Sequence, residues 1–244
     1  VRPMNPGGEV FVLKSFSLHR VSFPVGASGT TSGLLAIPGR FRQGAAVVVA
    51  HGAGNDMEHP LLASFAGGLA EAGYLTLRFN FLYRERGAKM PDDEGVLGET
   101  WRAACRFLTE EAGMTVTSLI AAGKSLGGRI ASRVVAAGLL PADRLVFLGY
   151  PLHPPGDRGR LRDDHLHDIG IPMLFFAGTR DPFCDTDLLK AVLNRLKAPW
   201  KLHTIKDGDH SFDRPDGSSD ASVYDLIVRE TLLWLQESPA AGDG

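Results

Sequence analysis

Cysteine is scarce in this chain, and its scarcity excludes a disulfide-stabilised fold. Only 2 cysteines, Cys105 and Cys184, occur in 244 residues, which is too few for a disulfide scaffold. Cys105 falls on a predicted helix, where we interpret it as a small buried apolar residue. A reducing compartment suits such a chain, and we expect the protein to be cytoplasmic.

An excess of charge and long apolar runs are also lacking. The formal net charge is −2 and the isoelectric point is about 6.5, whereas binding to a phosphate backbone requires a basic surface. The chain begins with Glu9, Lys14 and His19 among its first residues, in place of the hydrophobic centre of a secretory signal. We therefore expect no nucleic-acid partner, no membrane span and no membrane partner.

The chain instead alternates apolar strand-like runs with helical patterns, which is typical of a parallel sheet with crossover helices. Two or three strands come first without intervening helices, so they are expected to be antiparallel at one sheet edge. These are Val10–Leu18, Val21–Pro24 and Thr31–Ile37. Six further strands are predicted at Ala45–Ala50, Leu75–Phe79, Leu119–Ala122, Arg144–Gly149, Met173–Gly178 and Lys201–Ile205. Helices are predicted at Leu61–Ala72, Gly98–Glu111, Leu126–Ala137, Thr186–Leu196 and Ala221–Gln236.

The size and composition of the chain suit one large α/β domain. Its hydrophobic content is 44%, enough to build a substantial core at this length. No internal repeat and no low-complexity linker divides the sequence. We predict a single domain over residues 10–237, a flexible N-terminus over residues 1–9 and a loosely ordered tail over residues 238–244.

A serine flanked by glycines follows one of the predicted strands. The stretch Gly123-Lys124-Ser125-Leu126-Gly127 comes directly after the apolar run Ser118–Ala122, which is the pattern of a nucleophile elbow. Such a turn is so tight that flanking side chains would collide with the backbone, and glycine also tolerates strained dihedral angles. A helix beginning at Leu126 would direct its N-terminus at developing negative charge. A phosphate-binding loop would need a glycine where Ser118 stands.

Two more polar residues follow predicted strands. Asp181 comes after Met173–Gly178, and His210 comes after Lys201–Ile205. Because ligands of a parallel sheet bind at the carboxyl ends of its strands, we expect Ser125, Asp181 and His210 to meet there. Their chain order fits a hydrolase triad. In that chemistry His210 takes the proton of Ser125 as its oxygen attacks an acyl carbon, and Asp181 fixes the histidine tautomer.

Several aspartates compete with Asp181 for this position, namely Asp185, Asp187, Asp207 and Asp209. We interpret Asp207 and Asp209 as turn residues that position His210. Asp185 is interpreted as a cap of the following helix. Asp181 is therefore the favoured third residue.

The oxyanion of an acyl-transfer reaction needs two backbone donors. One is the amide of Leu126, immediately after the nucleophile. The second is expected from the loop His51–Asn55, with the amide of Ala53 as the first choice and that of Gly52 as the alternative. We interpret His51 as a structural residue that forms hydrogen bonds within its own loop.

A possible substrate pocket is formed by residues that follow the strands, namely Asn55, Asn80, Arg84, Tyr150 and His153. Arg84 could attract a carboxylate-bearing acyl group, or belong to a solvated basic loop balanced by nearby acids. His153 is as well placed for the protein surface as for the pocket.

The stretch His165–Asp168 contains two histidines and an aspartate, residue types that bind zinc. No second group of ligands lies nearby in the sequence, so we interpret it as a solvated loop. We expect no metal and no cofactor.

Together these motifs resemble the α/β-hydrolase superfamily, in particular its small, lidless, dienelactone-hydrolase-like members. The resembling stretches are His51–Gly54, Arg78–Phe81, Tyr83–Arg84, Gly123–Gly128, Gly149–Pro155, Gly178–Phe183 and Gly208–Phe212. They are most similar to the branch that includes the testis-expressed hydrolase-like protein and the hydrolase-like region of the NSL acetyltransferase complex. Dienelactone hydrolases use cysteine where this chain has Ser125, so their substrate is not carried over.

The resemblance implies the α/β-hydrolase fold, a mostly parallel sheet with antiparallel N-terminal edge strands and helices on both faces. A lid would be inserted at Gly149–Ile171, but that segment is short and Pro151, Pro154 and Pro155 exclude a regular helix there. The implied activity is that of a serine hydrolase, a carboxylesterase acting on small or exposed acyl esters. A peptidase or acyltransferase with the same triad, and a hydrolase-shaped binding scaffold without catalysis, are the alternatives.

Overall fold

The computed structural model describes residues 15–42, 44–215 and 220–237. Its strands are β1 (Phe16–Val25), β2 (Gly29–Pro38), β3 (Ala45–Ala50), β4 (Leu75–Phe79), β5 (Ser118–Lys124), β6 (Arg144–Leu148), β7 (Met173–Gly178) and β8 (Trp200–Ile205). They form one sheet in the order β1-β2-β4-β3-β5-β6-β7-β8. The strands β1 and β2 pair antiparallel and β2 pairs antiparallel with β4, whereas β3 to β8 are parallel. The predicted α/β-hydrolase sheet is confirmed.

Helices cover both faces of the sheet. They are α1 (Pro60–Glu71), α2 (Leu82–Glu85), α3 (Glu94–Arg106), α4 (Leu126–Ala136), α5 (Thr186–Leu193) and α6 (Asp220–Gln236). A π-helical turn, Phe107–Glu111, continues α3, and a 3₁₀-helix spans Asp164–Asp168. In the described residues no helix is both long and apolar enough to cross a membrane.

Alternation along the strands divides the core into two layers. On β3, Val48 packs in the layer that contains Trp101 of α3 and Ile130 of α4, whereas Val47 packs in the layer that contains Phe65 of α1. Successive side chains of a strand point to opposite faces of the sheet. A run of small and β-branched residues such as Ala45–Ala50 therefore fills both layers.

The N-terminal edge differs from the prediction. One strand, β1, replaces the two strands predicted at Val10–Leu18 and Val21–Pro24, because it pairs with β2 without interruption from Phe16 opposite Pro38 to Val25 opposite Gly29. The polar residues that interrupt the apolar run are exposed at this edge strand, where His19 contacts Ser17 and Arg20 pairs with Glu58. Residues 1–14, which include the start of the predicted first strand, and residues 238–244 lie outside the described residues.

Two helical segments also differ from the prediction. Helix α3 begins at Glu94 instead of Gly98, because the side chain of Asp93 accepts a hydrogen bond from the amide of Val96 and caps the helix. The segment Gly149–Ile171 contains the 3₁₀-helix Asp164–Asp168, which was not predicted. That helix lies beyond the three prolines, so their exclusion of helix holds only for the first part of the segment.

Candidate active site

Ser125 lies at the junction of β5 and α4 in a strained backbone conformation. Its φ is 49° and its ψ is −114°, a region that residues with a side chain rarely adopt. Its amide donates a hydrogen bond to the carbonyl oxygen of Leu148 on β6, 3.3 Å away. The serine predicted at the turn is therefore the residue that carries the backbone strain.

The flanking glycines are needed for space. A Cβ atom at Gly127 would lie 2.6 Å from the carbonyl oxygen of His51 and 2.7 Å from that of Ala50. A Cβ atom at Gly123 would overlap the backbone of Gly127 and Gly128. Collision was the expected reason for these glycines, but the strained dihedral angles belong to Ser125, since neither Gly123 nor Gly127 has a positive φ.

The structure brings the three predicted residues together. His210 Nε2 lies 2.8 Å from Ser125 Oγ, and His210 Nδ1 lies 2.7 Å from Asp181 Oδ2. The Asp181 side chain is fully buried, and the His210 side chain is 20% exposed. A continuous hydrogen-bonded relay therefore runs from the buried carboxylate to a serine hydroxyl near the surface.

Local hydrogen bonds hold the two loops that carry this relay. The second oxygen of Asp181 accepts a bond from the amide of Phe183 at 2.7 Å, and the Phe183 ring packs against the His210 ring with centroids 4.5 Å apart. Asp209 Oδ1 accepts bonds from the amides of Ser211 at 2.7 Å and Asp213 at 3.0 Å. The prediction that Asp209 forms the turn at His210 is confirmed.

The other competing aspartates have different positions. Asp185 caps α5 through the amides of Asp187 and Leu188, as predicted. Asp207 has a φ of 60° and occupies the tight turn after β8, which agrees with its predicted role as a turn residue. Asp187 is exposed in the first turn of α5.

The loop after β3 lies directly against Ser125. A Cβ atom at Gly52 would be 3.3 Å from the Cβ of Ser125, a tighter contact than most Cβ atoms make, so a side chain here would push the loop away from Ser125. Among the described residues no acceptor is found for the amide of Ala53 or for that of Leu126, the first residue of α4. These amides stay our candidates for the oxyanion donors.

His51 is fully buried and fixes this loop. Its Nδ1 lies 2.8 Å from the carbonyl oxygen of Gly52, and its Nε2 lies 3.0 Å from the amide of Phe81. Because the amide of Phe81 can only donate, Nε2 must accept and Nδ1 carries the proton. Burial lowers the pKa of His51 to about 4, so the ring is neutral at pH 7. The interpretation of His51 as a structural residue agrees with these contacts.

Three of the pocket candidates use their polar atoms in hydrogen bonds to neighbouring loops. Tyr150 is buried, packs on Phe147 with ring centroids 5.2 Å apart, and donates a bond to the carbonyl oxygen of Arg162 at 2.6 Å. His153 is also buried, with Nδ1 2.9 Å from the carbonyl oxygen of Pro154 and Nε2 3.0 Å from the amide of Asp185. Both expectations for His153, pocket lining and surface, are thus wrong.

Asn80 likewise uses both ends of its amide. Its oxygen accepts a bond from the amide of Met57 at 2.9 Å, and its nitrogen donates to Glu85 at 2.8 Å. These bonds tie the loop after β3 to α2. Tyr150 is therefore corrected from a pocket residue to one that supports the loops, whereas Asn80 supports the loops but is half-buried, and its place in the pocket stays a prediction.

Asn55 and Arg84 are also accessible pocket candidates. Asn55 is half-buried, and its amide donates to the carbonyl oxygen of Gly52 at 3.3 Å. The guanidinium of Arg84 lies 3.6 Å from the carboxylate of Asp56, with its side chain 26% exposed. Arg84 thus belongs to a charged pair at the rim of the loop.

The segment interpreted as a solvated loop is partly packed. His165 Nε2 lies 2.8 Å from Ser132 Oγ of α4 and 3.4 Å from the hydroxyl of Tyr150. Burial lowers the pKa of His165 to about 4. The described residues contain no group of three or more His, Cys, Asp or Glu side chains placed to hold a metal ion. The interpretation of His165 as solvated is wrong, because this side chain joins the segment to α4.

Sequence reasoning missed Lys124, the residue before the serine. Its side chain is almost fully buried and its ammonium donates a hydrogen bond to the backbone carbonyl oxygen of His210. A lysine at the end of a strand that is otherwise apolar is the signal that could have found it.

The family described as alpha/beta hydrolase domain matches residues 43–234, which is most of the chain. The protein belongs to this family. A dienelactone hydrolase from Anabaena variabilis is 23% identical, with 90% of this chain and 98% of that chain covered and a TM-score of 0.68. The chain under study is also similar to an esterase from Pyrococcus furiosus, which is 17% identical, with 95% of each chain covered and a TM-score of 0.71. An α/β serine hydrolase without lid from Xanthomonas campestris is 19% identical, with 98% of this chain and 100% of that chain covered and a TM-score of 0.66. At these identities the solved structures share the fold.

Proposed function

We propose that this protein is a serine hydrolase that cleaves carboxylic esters through an acyl-enzyme. The observation that carries the proposal is the relay in which His210 lies 2.8 Å from Ser125 Oγ and 2.7 Å from Asp181. Membership of the hydrolase family and the esterases among the similar structures support it. In this proposal Ser125 is the nucleophile, His210 is the general base and acid, and Asp181 orients the imidazole.

The proposed reaction has two half-reactions. His210 Nε2 takes the proton of Ser125 Oγ while that oxygen attacks the acyl carbon, and the ester carbonyl becomes a tetrahedral oxyanion. The imidazolium then protonates the leaving alcohol as its C–O bond breaks. A water molecule repeats the attack on the acyl-enzyme, gives its proton to His210, and releases the acid and the free serine.

The oxyanion is proposed to bind at the start of α4. The amide of Leu126 and that of Ala53, with Gly52 as the alternative, supply the two donors. The close approach of Gly52 to Ser125 supports the placing of this loop beside the reacting carbonyl. The helix N-terminus adds a favourable electrostatic field.

We propose small or exposed acyl esters as the substrate class. The only helix described within Gly149–Ile171 is the 3₁₀-helix Asp164–Asp168, and its Leu166 is buried in the core, so this segment forms no helical lid with an exposed apolar face. We expect kcat/KM for p-nitrophenyl acetate or butyrate to exceed that for the palmitate ester by about tenfold or more, since an open site buries little of a long chain. A preference for the palmitate ester would contradict this substrate class.

Substitution of Ser125 tests the mechanism. Ser125→Ala is expected to lower kcat on p-nitrophenyl acetate by on the order of 10⁴-fold or more. Ser132→Ala is the matched control, because Ser132 lies 2.8 Å from a histidine, His165, but donates its hydroxyl proton to the carbonyl oxygen of Arg129. Equal turnover by wild type and Ser125→Ala would remove Ser125 from the mechanism.

A fluorophosphonate probe separates catalysis from a binding role. If the chain is a peptidase or acyltransferase with the same triad, the probe labels Ser125 and a panel of esters, amides and acyl acceptors identifies the reaction. If it is a hydrolase-shaped scaffold, folded protein stays unlabelled. The buried Asp181 carboxylate favours an enzyme, because a scaffold gains nothing from burying an ionisable group beside a histidine and a serine.

We also propose a branch of the family and a cellular location for this protein. The motifs around His51, Ser125 and His210 support a place in the branch of the testis-expressed and NSL-complex hydrolase-like proteins. Cys105 and Cys184 are both unpaired and buried, which supports a reducing, cytoplasmic location. Expression of a tagged protein followed by fractionation tests the location.

A further inference from the structure

Lys124 is a charged residue in a position where charge is costly. It is the last residue of β5, directly before Ser125, and only 2% of it is exposed. Burial lowers the pKa of Lys124 to about 8, although the carboxylates of Asp181, Asp209 and Asp213 act in the opposite direction. A methionine of similar length would fill the same space without the cost of burying an ammonium. The fold therefore carries a cost that packing alone does not explain.

The ammonium is directed at the histidine loop. Nζ donates a hydrogen bond to the backbone carbonyl oxygen of His210, 86 residues away in the chain, and lies 5.7 Å from the centroid of the Phe212 ring. This hydrogen bond is made to the backbone of His210 and not to its imidazole ring. The lysine thus joins the strand that ends at the nucleophile to the backbone of the base.

Two glycines make room for this side chain. A Cβ atom at Gly149 would lie 3.2 Å from Lys124 Nζ and 3.2 Å from the carbonyl oxygen of His210. A Cβ atom at Gly52 would lie 3.4 Å from Lys124 Cγ. The loops after β3 and β6 therefore leave space for the Lys124 side chain.

We propose that Lys124 is a positioning residue for the proposed hydrolase reaction, and the inference rests on that function. Its ammonium holds the His210 backbone at the distance from the elbow that places Nε2 against Ser125 Oγ. Its positive charge also balances the buried Asp181 and disfavours a second positive charge on the neighbouring imidazole. Loss of this charge should therefore change the pH profile of the reaction.

Lys124→Met tests both parts of the proposal. The variant keeps the length of the side chain but loses the donor and the charge. We expect kcat on p-nitrophenyl acetate to fall about 10- to 100-fold with KM within about 2-fold, because a misplaced base affects the chemical step more than binding. We also expect the acid limb of the pH profile of kcat/KM to move to higher pH, an effect that loss of packing would not produce.

Lys201→Met is the matched control. Lys201 lies on β8 and pairs with Glu237 at 2.6 Å with 37% of its side chain exposed, outside the proposed site. This variant should keep the wild-type kcat and the wild-type acid limb. Lys124→Arg supplies a second variant that keeps charge and donors, and its acid limb should stay at the wild-type pH even where its larger head lowers kcat.

The outcomes separate this inference from the proposed function. If wild type neither hydrolyses esters nor reacts with the fluorophosphonate probe at Ser125, the proposed function fails and the inference fails with it. If wild type is active and folded Lys124→Met keeps both kcat and the acid limb, the inference alone is overturned. Should Lys124→Met not fold, Lys124→Arg decides, since an acid limb moved to higher pH in that charged variant would also overturn it.

Discussion

Ser125 combines the hydroxyl of the proposed nucleophile with a backbone conformation that a side chain disfavours. A φ of 49° with a ψ of −114° costs on the order of 1–3 kcal/mol for a residue other than glycine. The surrounding loops hold the residue in place, because the glycines at 123 and 127 allow backbone segments to pack against it. The strain thus lies at the residue that the proposed chemistry uses.

This strain predicts that Ser125→Gly is more stable than Ser125→Ala. Alanine keeps the Cβ atom and its clash with the backbone, whereas glycine removes it, so we expect a difference in the free energy of unfolding of about 1 kcal/mol in favour of glycine. Urea unfolding of both variants measures it. Both variants should be inactive, because both lack the serine hydroxyl. Equal stability of the two variants would show that position 125 is unstrained.

The polar residues predicted to line the pocket differ in their hydrogen-bond partners. Asn80, Tyr150 and His153 each follow a strand, as the predicted pocket residues should, but their polar atoms bond to the loops around them. Position at the end of a strand was the basis of the prediction. The partner of a side chain depends on loops distant in the sequence, so these three could not be separated from Asn55 and Arg84 beforehand.

The elbow is an element whose geometry depends on the absence of a Cβ atom. The backbone of β3 passes Gly127 so closely that a Cβ there would lie 2.6 Å from the carbonyl oxygen of His51. We expect Gly127→Ala to destabilise the protein by about 2–4 kcal/mol, since the backbone of a central strand cannot move aside. Thermal or urea unfolding measures the loss.

Gly67→Ala is the matched control for this element. Gly67 lies in α1, and a Cβ atom there would be 3.7 Å from the ring of Phe16, an ordinary contact. Alanine in a helix interior should stabilise the protein by about 0.5–1 kcal/mol. If Gly127→Ala behaved like Gly67→Ala, the close packing of the elbow against β3 would be refuted.

The sequence predicts the bounds of some strands and helices better than those of others. The strands β3, β4 and β7 have the predicted bounds, because turn residues delimit each of these short runs. The edge strand β1 was split in the prediction, since an edge strand exposes one side and its apolar pattern is weak. Helix α3 began earlier than predicted because its cap, and not its apolar face, sets its start.

At the scale of the whole molecule, two neutral histidines make folding sensitive to acid. Burial lowers the pKa of His51 and of His165 to about 4, below the value of about 6.5 in an unfolded chain. Between these values the unfolded state binds more protons than the folded state, so the free energy of unfolding decreases as the pH falls from about 6.5 towards 4. Below that range these two groups add no further loss.

We expect this decrease to reach a few kcal/mol at pH 4.5, with His51 and His165 contributing similar shares. Urea unfolding at pH 7.0, 5.5 and 4.5 measures it. His165→Gln should show a smaller decrease across the same range, since it removes one of the two groups. A free energy of unfolding that is constant from pH 7.0 to 4.5 would contradict the buried, neutral state of both rings.

The hydrolase architecture and the three residues of the relay could be predicted from the amino-acid sequence. Apolar strand runs, the glycines around Ser125 and the order of Ser125, Asp181 and His210 are local patterns, and the carboxyl ends of parallel strands necessarily share one edge. The hydrogen-bond partners of the polar side chains after the strands, and the position of the Lys124 ammonium, could not be predicted in this way. Burial and hydrogen-bond partners arise when segments far apart in the chain pack together, as Lys124 does with His210, and no local pattern records that contact.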